Sequence, residues 1–249
     1  NNTSYNNNKK AKPMSTSTIH TTALCAHPSR SYYLSGDDSK GRVVLWRFNS
    51  RTSLATFTPV PASELPALTN VGGLLESFST RMMRPTGTST RLSCWKHCTG
   101  LAFSPNGERF AGIGAGGVVA TWRLAPPSSS SSTSGNRPVD ADGNISSEWW
   151  CQGLSKHGAA VTYVAGGSSA VAVGGQCTRG GNIALWDTLS HPESGAIGRL
   201  SHHKAAVTCL YTLPGGWLLA AGDADGALSL TDIRMLGTSG INTSSNTNT

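Results

Sequence analysis

Three glycines have the spacing of a loop that can bind phosphate. Residues 112–117 read "GIGAGG", and the G-x-G-x-x-G pattern holds a dinucleotide where a strand precedes it and a helix follows, because the helix N-terminus binds the anion. Here the next residues are "VVATWRL", whose β-branched and aromatic side chains favour a strand. We therefore predict a turn between two strands, and no bound cofactor.

Cys94, His97 and Cys98 form the one tight group of residues that could bind a metal. Three ligands without a partner pair are a weak zinc signal, and the six cysteines contain no C-x-x-C spacing. Cysteines in or beside apolar segments behave as small hydrophobic residues, which favours a reducing cytosolic setting. We predict no metal site.

The patterns of common catalytic sites are absent from the sequence. It contains no G-x-S-x-G elbow, no H-E-x-x-H helix and no G-x-x-x-x-G-K-[ST] loop. His202 and His203 are adjacent, so on a strand they would point to opposite faces. We expect no catalytic residues and predict that the chain is not an enzyme.

The composition predicts turns and short strands. The chain has 249 residues, 29 glycines and only 13% charged residues, which disfavours charged amphipathic helices. Its net charge is +7, but Lys9, Lys10 and Lys12 lie in an Asn-rich leader, so nucleic-acid binding is not implied. A basic loop (Arg81, Arg84, Arg91 and Lys96) fits either a solvated surface or a site for acidic lipid or a phosphorylated partner.

We predict neither a signal peptide nor a transmembrane segment. The N-terminus, "NNTSYNNNKK", lacks an apolar segment and a starting Met, so we expect a segment of a longer protein. The longest uncharged run, residues 158–178, contains glycine and serine in its middle. Two strands and a turn explain that run better than a membrane helix.

Four stretches of the chain share one plan. They cover residues 21–48, 98–124, 157–187 and 203–232. Each has an apolar strand, a Pro or Gly turn, a second strand, a glycine-bearing hairpin and a third strand, which ends at Trp46, Trp122, Trp186 or Thr231. "GIGAGG" occupies the hairpin position of the second copy.

These copies resemble the WD-repeat β-propellers, whose repeats form four-stranded blades. The resemblance rests on "HGAAV" with "NIALWD", "HKAAV" with "DADGALSLTD", and "LAFSPNG". In that family a His, a Ser or Thr, a hairpin Asp and a Trp pin each blade through hydrogen bonds. Matching positions here, with the Asp that follows the third Trp, are Ser35, Trp46, Trp122, His157, Trp186, Asp187, His203 and Asp225. No copy has the whole set, so a structural role for these residues is expected.

The amino-acid sequences of the copies resemble still more closely the C-terminal repeats of the DmX-like, or rabconnectin, proteins. "AHPSRSYYLSGDDSKGRVVLWRF", "EWWCQ" and "LWDTL" carry this resemblance. It implies a cytosolic scaffold, peripheral on endomembranes, that promotes V-ATPase assembly by binding its peripheral subunits or their assembly factors. The alternative is a WD-repeat adaptor in another complex, such as a ubiquitin-ligase, trafficking or RNA-associated assembly.

The expected fold is therefore an all-β WD-repeat propeller with about four divergent blades at residues 19–236. Loop insertions at about 49–92 and 125–147 interrupt the blades. Residues 1–18 and 237–249 are expected to be disordered tails. The blades either belong to a larger ring completed by flanking sequence or form an arc with open edges. Candidate partner contacts on the rim are Arg47, Arg123 and Arg179, although arginines at such positions are more often solvated turn residues.

Overall fold

A computed structural model of the chain describes residues 20–38, 41–50, 52–59, 95, 97–124, 145–178, 180–192 and 194–237. This part is all-β, and a short 3-10 helix, Ile233–Gly237, follows the last strand. The strands are β1 (Thr21–Ala26), β2 (Tyr32–Asp37), β3 (Val43–Arg47), β4 (Ser53–Thr58), β5 (Cys98–Phe103), β6 (Arg109–Gly114), β7 (Val118–Arg123), β8 (Ile145–Ser146), β9 (Trp149–Gln152), β10 (His157–Val164), β11 (Ala170–Gln176), β12 (Ile183–Asp187), β13 (Ala196–Leu200), β14 (Val207–Thr212), β15 (Leu218–Asp223) and β16 (Leu228–Asp232).

The strands form four sheets, numbered here in chain order. Sheet 1 has the order β1-β2-β3-β4-β8, sheet 2 β5-β6-β7-β9, sheet 3 β10-β11-β12-β13 and sheet 4 β14-β15-β16. All pairs are antiparallel except β4 with β8. The all-β class is thus confirmed. The fourth strand of sheet 1, β4, lies within residues 49–92. The hairpin of β10 and β11 confirms the two strands expected in residues 158–178.

Two expected boundaries differ from the structure. Residues 145–147 fall in the expected insertion, yet β8 pairs with β4 through Phe57 and Ile145. Gly237, expected as the first residue of the tail, ends the 3-10 helix. The leader, the basic loop, most of both insertions and residues 238–249 lie outside the described residues.

The "GIGAGG" stretch is a hairpin, as predicted. Gly112 and Gly114 belong to β6, and β7 begins directly after Gly117. The Gly117 φ of 82° is in the left-handed region, which glycine adopts without a Cβ penalty. A strand follows where a phosphate loop would need a helix, so this stretch lacks the geometry of a dinucleotide site.

Every first strand carries a β-bulge at the same place. The pairing register shifts between Thr21 and Ala23, Cys98 and Gly100, Gly158 and Ala160, and Val207 and Cys209. The extra residues are Thr22, Thr99, Ala159 and Thr208. Since a bulge increases the local twist of a strand, the four sheets share a specific local geometry as well as a strand order.

The bulge threonines connect neighbouring sheets. The Thr22 hydroxyl donates to the Cys98 carbonyl at the start of sheet 2. The Thr99 hydroxyl donates to the Gly158 carbonyl at the start of sheet 3, at 2.7 Å. The same hydroxyl position therefore links sheet 1 to sheet 2 and sheet 2 to sheet 3.

Successive sheets pack face to face through three apolar clusters. We call the face that meets the next sheet the forward face, and the opposite one the back face. On the forward face of sheet 1, Leu34 and Val43 pack with Phe110 and Trp122 on the back face of sheet 2. Sheets 2 and 3 meet through a second cluster that includes Ile113. In the third cluster, forward-face residues of sheet 3 pack against back-face residues of sheet 4. They are Ala172, Ile183 and Leu185 from sheet 3, and Leu219 and Ala221 from sheet 4.

The packing runs in chain order from sheet 1 to sheet 4. The first strands make successive contacts, β1 with β5, β5 with β10, and β10 with β14. No contact of similar extent joins the described strands of sheets 1 and 4. The described sheets therefore form an open series, with one uncovered face at each end.

Candidate functional site

Trp46 and Ser35 form a hydrogen-bonded pair within sheet 1. The Trp46 indole N–H donates to the Ser35 hydroxyl at 2.8 Å. The two residues lie on β3 and β2, and Tyr33, the cross-strand neighbour of Trp46, stacks with its indole at 6.3 Å. This contact joins two strands of sheet 1 and is structural.

The corresponding tryptophans of sheets 2 and 3 have different surroundings. Trp122 is fully buried, stacks on Phe110 at 5.0 Å, and donates to the Thr58 carbonyl of sheet 1 at 3.1 Å. Trp186 is also buried, but its indole nitrogen has no hydrogen-bond partner. Val173 occupies the position on β11 that Ser35 occupies on β2, because Val171 pairs with Trp186 as Tyr33 pairs with Trp46. A valine offers no acceptor there.

His203 is the centre of a buried polar chain in sheet 4. Its Nδ1 lies 2.9 Å from the Asp223 carboxylate, and its Nε2 lies 2.7 Å from the Ser229 hydroxyl. The carry-over of Asp225 to the family's hairpin aspartate is therefore wrong. Asp225 instead donates its backbone N–H to the Asp223 carboxylate at 3.1 Å, because Asp223 is the last residue of β15 and points inward.

The order Asp, His, Ser is also that of a catalytic triad, but the surroundings favour a structural role. The His203 and Asp223 side chains are 2% and 3% exposed, so a substrate would have to open the sheet to reach the imidazole. The hydrogen bond from His203 is the main cause that lowers the pKa of Asp223, and the backbone N–H groups of Ala227 and Asp225 add to it. The carboxylate is thus held ionised to close the hairpin.

His157 lies in a different position from His203. It is the first residue of β10, it is exposed, and its Nδ1 lies 2.9 Å from the Ala115 carbonyl of sheet 2. This contact joins sheet 3 to sheet 2. Asp187 is half-buried and closes the turn after β12, where it accepts hydrogen bonds from the Leu189 N–H at 2.9 Å and the Ser190 hydroxyl at 2.7 Å.

The rim candidates lie at the ends of third strands. Arg47 and Arg123 are the last residues of β3 and β7, and both are exposed. Arg179 lies outside the described residues. A shallow cavity of about 240 Å³ opens beside Arg123, lined by Arg30, Asn106, Gly107, Glu108, Arg123 and Leu124. The opening thus carries two guanidinium groups and one carboxylate, that of Glu108.

A neutral histidine, His27, hydrogen-bonds Arg30 and Gly107, which line this cavity. His27 is buried, and its Nδ1 accepts hydrogen bonds from the N–H groups of Ser29 at 3.1 Å and Arg30 at 3.0 Å. Its Nε2 therefore carries the proton and donates to the Gly107 carbonyl of sheet 2 at 3.1 Å. Burial is the main cause that lowers the pKa of His27, with a smaller contribution from the Arg30 charge. Sequence analysis missed this residue, although "AHPSR" places it at a turn.

The sequence-based metal candidate is only partly described. His97 is exposed, while Cys98 is buried against sheet 1, and burial raises its pKa to about 12. Cys94 lies outside the described residues. Within the described ranges, no group of three His, Cys, Asp or Glu side chains could hold a metal ion.

An uncovered apolar surface at the end of the series was not expected residue by residue. Tyr211, Leu228 and Leu230 are 63%, 80% and 61% exposed. They lie on the forward face of sheet 4, where pairing aligns Leu228 with Val43 of sheet 1 and Ile183 of sheet 3. Those two side chains are buried because a further sheet covers them.

Comparison with known proteins does not assign the chain to a family. A scan against models of protein families found no match, and a search of curated proteins also found none. Among the described residues, no helix has the length and apolar character needed to cross a membrane.

Proposed function

We propose that the four sheets are blades of a WD-repeat β-propeller and that the chain is a non-catalytic platform for protein partners. The shared strand order, the bulge at one position of each first strand and the chain-order packing support a common repeat. The Ser35–Trp46 and His203–Asp223 contacts support it further, because in the WD-repeat family such residues hold strands together.

One observation carries the binding role: Arg30 and Arg123 approach the same cavity from two adjacent sheets. Arg30 lies in the turn after β1 and Arg123 ends β7. Arginine forms bidentate hydrogen bonds with carboxylates and is enriched among residues that dominate binding energy. The partner contact therefore involves an acidic side chain or a chain terminus at the junction of sheets 1 and 2.

The partner follows from the DmX-like resemblance. We propose V-ATPase peripheral subunits or their assembly factors, met in the cytoplasm at endomembranes. A WD-repeat adaptor for another complex is the alternative, and it uses the same surface. RNA association is less favoured, since the Trp122 and Trp186 rings are buried and cannot stack on bases.

The test is a pull-down from cytosolic and membrane extracts, followed by mass spectrometry, with the chain and an Arg30→Glu/Arg123→Glu variant. We expect V-ATPase subunits or assembly factors with the unmodified chain, and a loss of about tenfold or more with the variant. Lys156→Glu, an exposed charge reversal before β10, is the control. Retention of other proteins, lost in the variant, would favour the alternative partner. Equal retention by all three chains contradicts the proposed surface.

A further inference from the structure

The sheet 4 forward face has the character of an interface that the molecule already forms three times. Its members are Cys209, Tyr211, Ala220, Leu228 and Leu230, aligned by the β14–β15 and β15–β16 pairings. The corresponding positions of sheet 3 include Ala172, Ile183 and Leu185, which are 0%, 1% and 2% exposed under sheet 4. Leaving large apolar side chains on one contiguous face is unfavourable and marks an interaction surface.

The complementary surface is present on the same chain. The sheet 1 back face carries Leu24, Tyr33, Val44 and Trp46, and Leu24 is 67% exposed. In sheets 2 and 3 the back face covers the preceding sheet with side chains of the same kind at the same register positions: Phe110 and Trp122 in sheet 2, and Val171 and Trp186 in sheet 3. Among the described residues, one exposed face of each type used between the sheets therefore lies at each end of the series.

The bulge threonine of sheet 4 also differs from those of sheets 1 and 2. Thr22 and Thr99 each bond a carbonyl of their own second strand, Gly36 and Ile113, and also a carbonyl of the next sheet. Thr208, at the same bulge position of sheet 4, is exposed and bonds Gly222 of its own sheet at 3.3 Å. Among the described residues, Gly222 is the one acceptor of this hydroxyl.

From these observations we infer that a second copy of this chain covers the sheet 4 forward face with its sheet 1 back face. The contact continues the packing of sheets 1 to 4, and the Thr208 hydroxyl meets the Thr21 carbonyl of the second copy, as Thr22 meets Cys98. Such a head-to-tail contact uses different surfaces on the two copies, and it closes into a ring when both ends are satisfied. It depends on the sheet packing and not on the proposed partner.

The experiment measures the mass of the purified chain in solution over a range of concentrations by sedimentation and light scattering. We expect a dimer or a larger closed ring. Leu230→Asp, on the sheet 4 forward face, and Leu24→Asp, on the sheet 1 back face, should each weaken association by about 100-fold. Leu189→Asp is the matched control, because Leu189 is 68% exposed in the turn after β12, away from both faces.

Mixing the two interface variants identifies the arrangement. Each retains the face that the other has lost, so the mixture should form a heterodimer through one intact interface although each variant alone is monomeric. Unchanged circular dichroism spectra show that the variants fold. A monomeric unmodified chain, or association that Leu24→Asp leaves intact, overturns the inference; the first result means that sheet 4 is covered in another way, and the second that two copies meet through the same face.

Discussion

The Trp46 indole N–H donates to the Ser35 hydroxyl across strands β3 and β2, at 2.8 Å. In sheet 3, Val173 stands at the position of Ser35, and there the buried Trp186 indole N–H has no partner. A buried donor without an acceptor costs free energy. The divergence between two copies of one repeat is thus visible as one missing hydroxyl group.

Val173→Thr should supply that hydroxyl. A threonine that accepts from Trp186 should change the free energy of unfolding by less than about 1 kcal/mol, since its burial cost is offset by the new hydrogen bond. In a Trp186→Phe background the same substitution buries an unpaired hydroxyl and should cost about 1–3 kcal/mol. Urea unfolding of the four chains measures the coupling. Equal costs in both backgrounds would show that the hydroxyl does not reach the indole.

Asp223→Ala should destabilise the chain far more than Asp225→Ala. The first change removes the acceptor of His203 and of two backbone N–H groups, whereas Asp225 is exposed in the turn. Thermal unfolding of both variants measures the difference in Tm. An equal loss for both would contradict the assignment of Asp223 as the His203 partner.

The Asp223 contribution should also depend on pH. Its pKa is lowered in the folded state from 3.8, so the folded protein favours the ionised form. This stability is fully present above the unfolded pKa and is lost as the pH falls through the folded pKa. Below pH 4, the free energy of unfolding should therefore fall less with decreasing pH for Asp223→Asn than for the unmodified chain. An equal fall in both chains would refute this.

His27 should make stability fall at a higher pH. Its folded pKa is lowered from 6.5, because burial disfavours the charged imidazolium. The unfolded chain takes up the proton first, so stability is complete above about pH 6.5 and falls as the pH drops toward the folded pKa. Tm should show this decline in the unmodified chain and in His157→Ala, and lose it in His27→Gln. Its persistence in His27→Gln would assign the decline to another group.

Alanine substitutions at two hairpin glycines should distinguish the cost of backbone strain from the cost of steric overlap. Gly117 and Gly226 have φ values of 82° and 85°, and alanine in this region costs about 1–2 kcal/mol. A Cβ at Gly117 would lie 2.3 Å from the Leu154 carbonyl oxygen, while nothing lies within 4 Å at Gly226. Gly117→Ala should therefore lose about 2 kcal/mol more than Gly226→Ala in urea unfolding. Similar losses would show that the Leu154 segment moves away freely.

The strand and hairpin pattern could be predicted because each copy carries its own local signals. The valines after Gly117 favour a strand, and the glycines and serines within residues 158–178 favour a turn; the structure has both. These signals act over a few residues, so they need no knowledge of the tertiary packing. The number of blades and a closed ring depend on contacts between distant segments and remain predictions.

Side-chain partners were harder to predict because they depend on register. "DADG" offers two aspartates two residues apart, and the hairpin geometry decides which one ends β15 and points inward. His157 stands before an apolar run as His203 does, but it begins β10 itself, whereas His203 precedes β14 by four positions. The β8 strand was missed because two residues carry too little periodicity to reveal a strand.

The bulge position also has a consequence for the order in which the fold opens. Ala159 stands in sheet 3 where Thr22 and Thr99 stand in sheets 1 and 2, so the hydroxyl link to the next sheet is missing between sheets 3 and 4. The Asn182 side chain replaces it by donating to the carbonyls of His203 and Ala205. The Thr162 and Thr212 hydroxyls also meet at 3.2 Å, and the Ala165 N–H donates to the Gly216 carbonyl at 2.6 Å. Sheet 4 has three strands and packs against another sheet on one face, so we expect it to open locally at a low free energy. Its amide protons should exchange with solvent before those of sheet 2, which neighbours support on both sides.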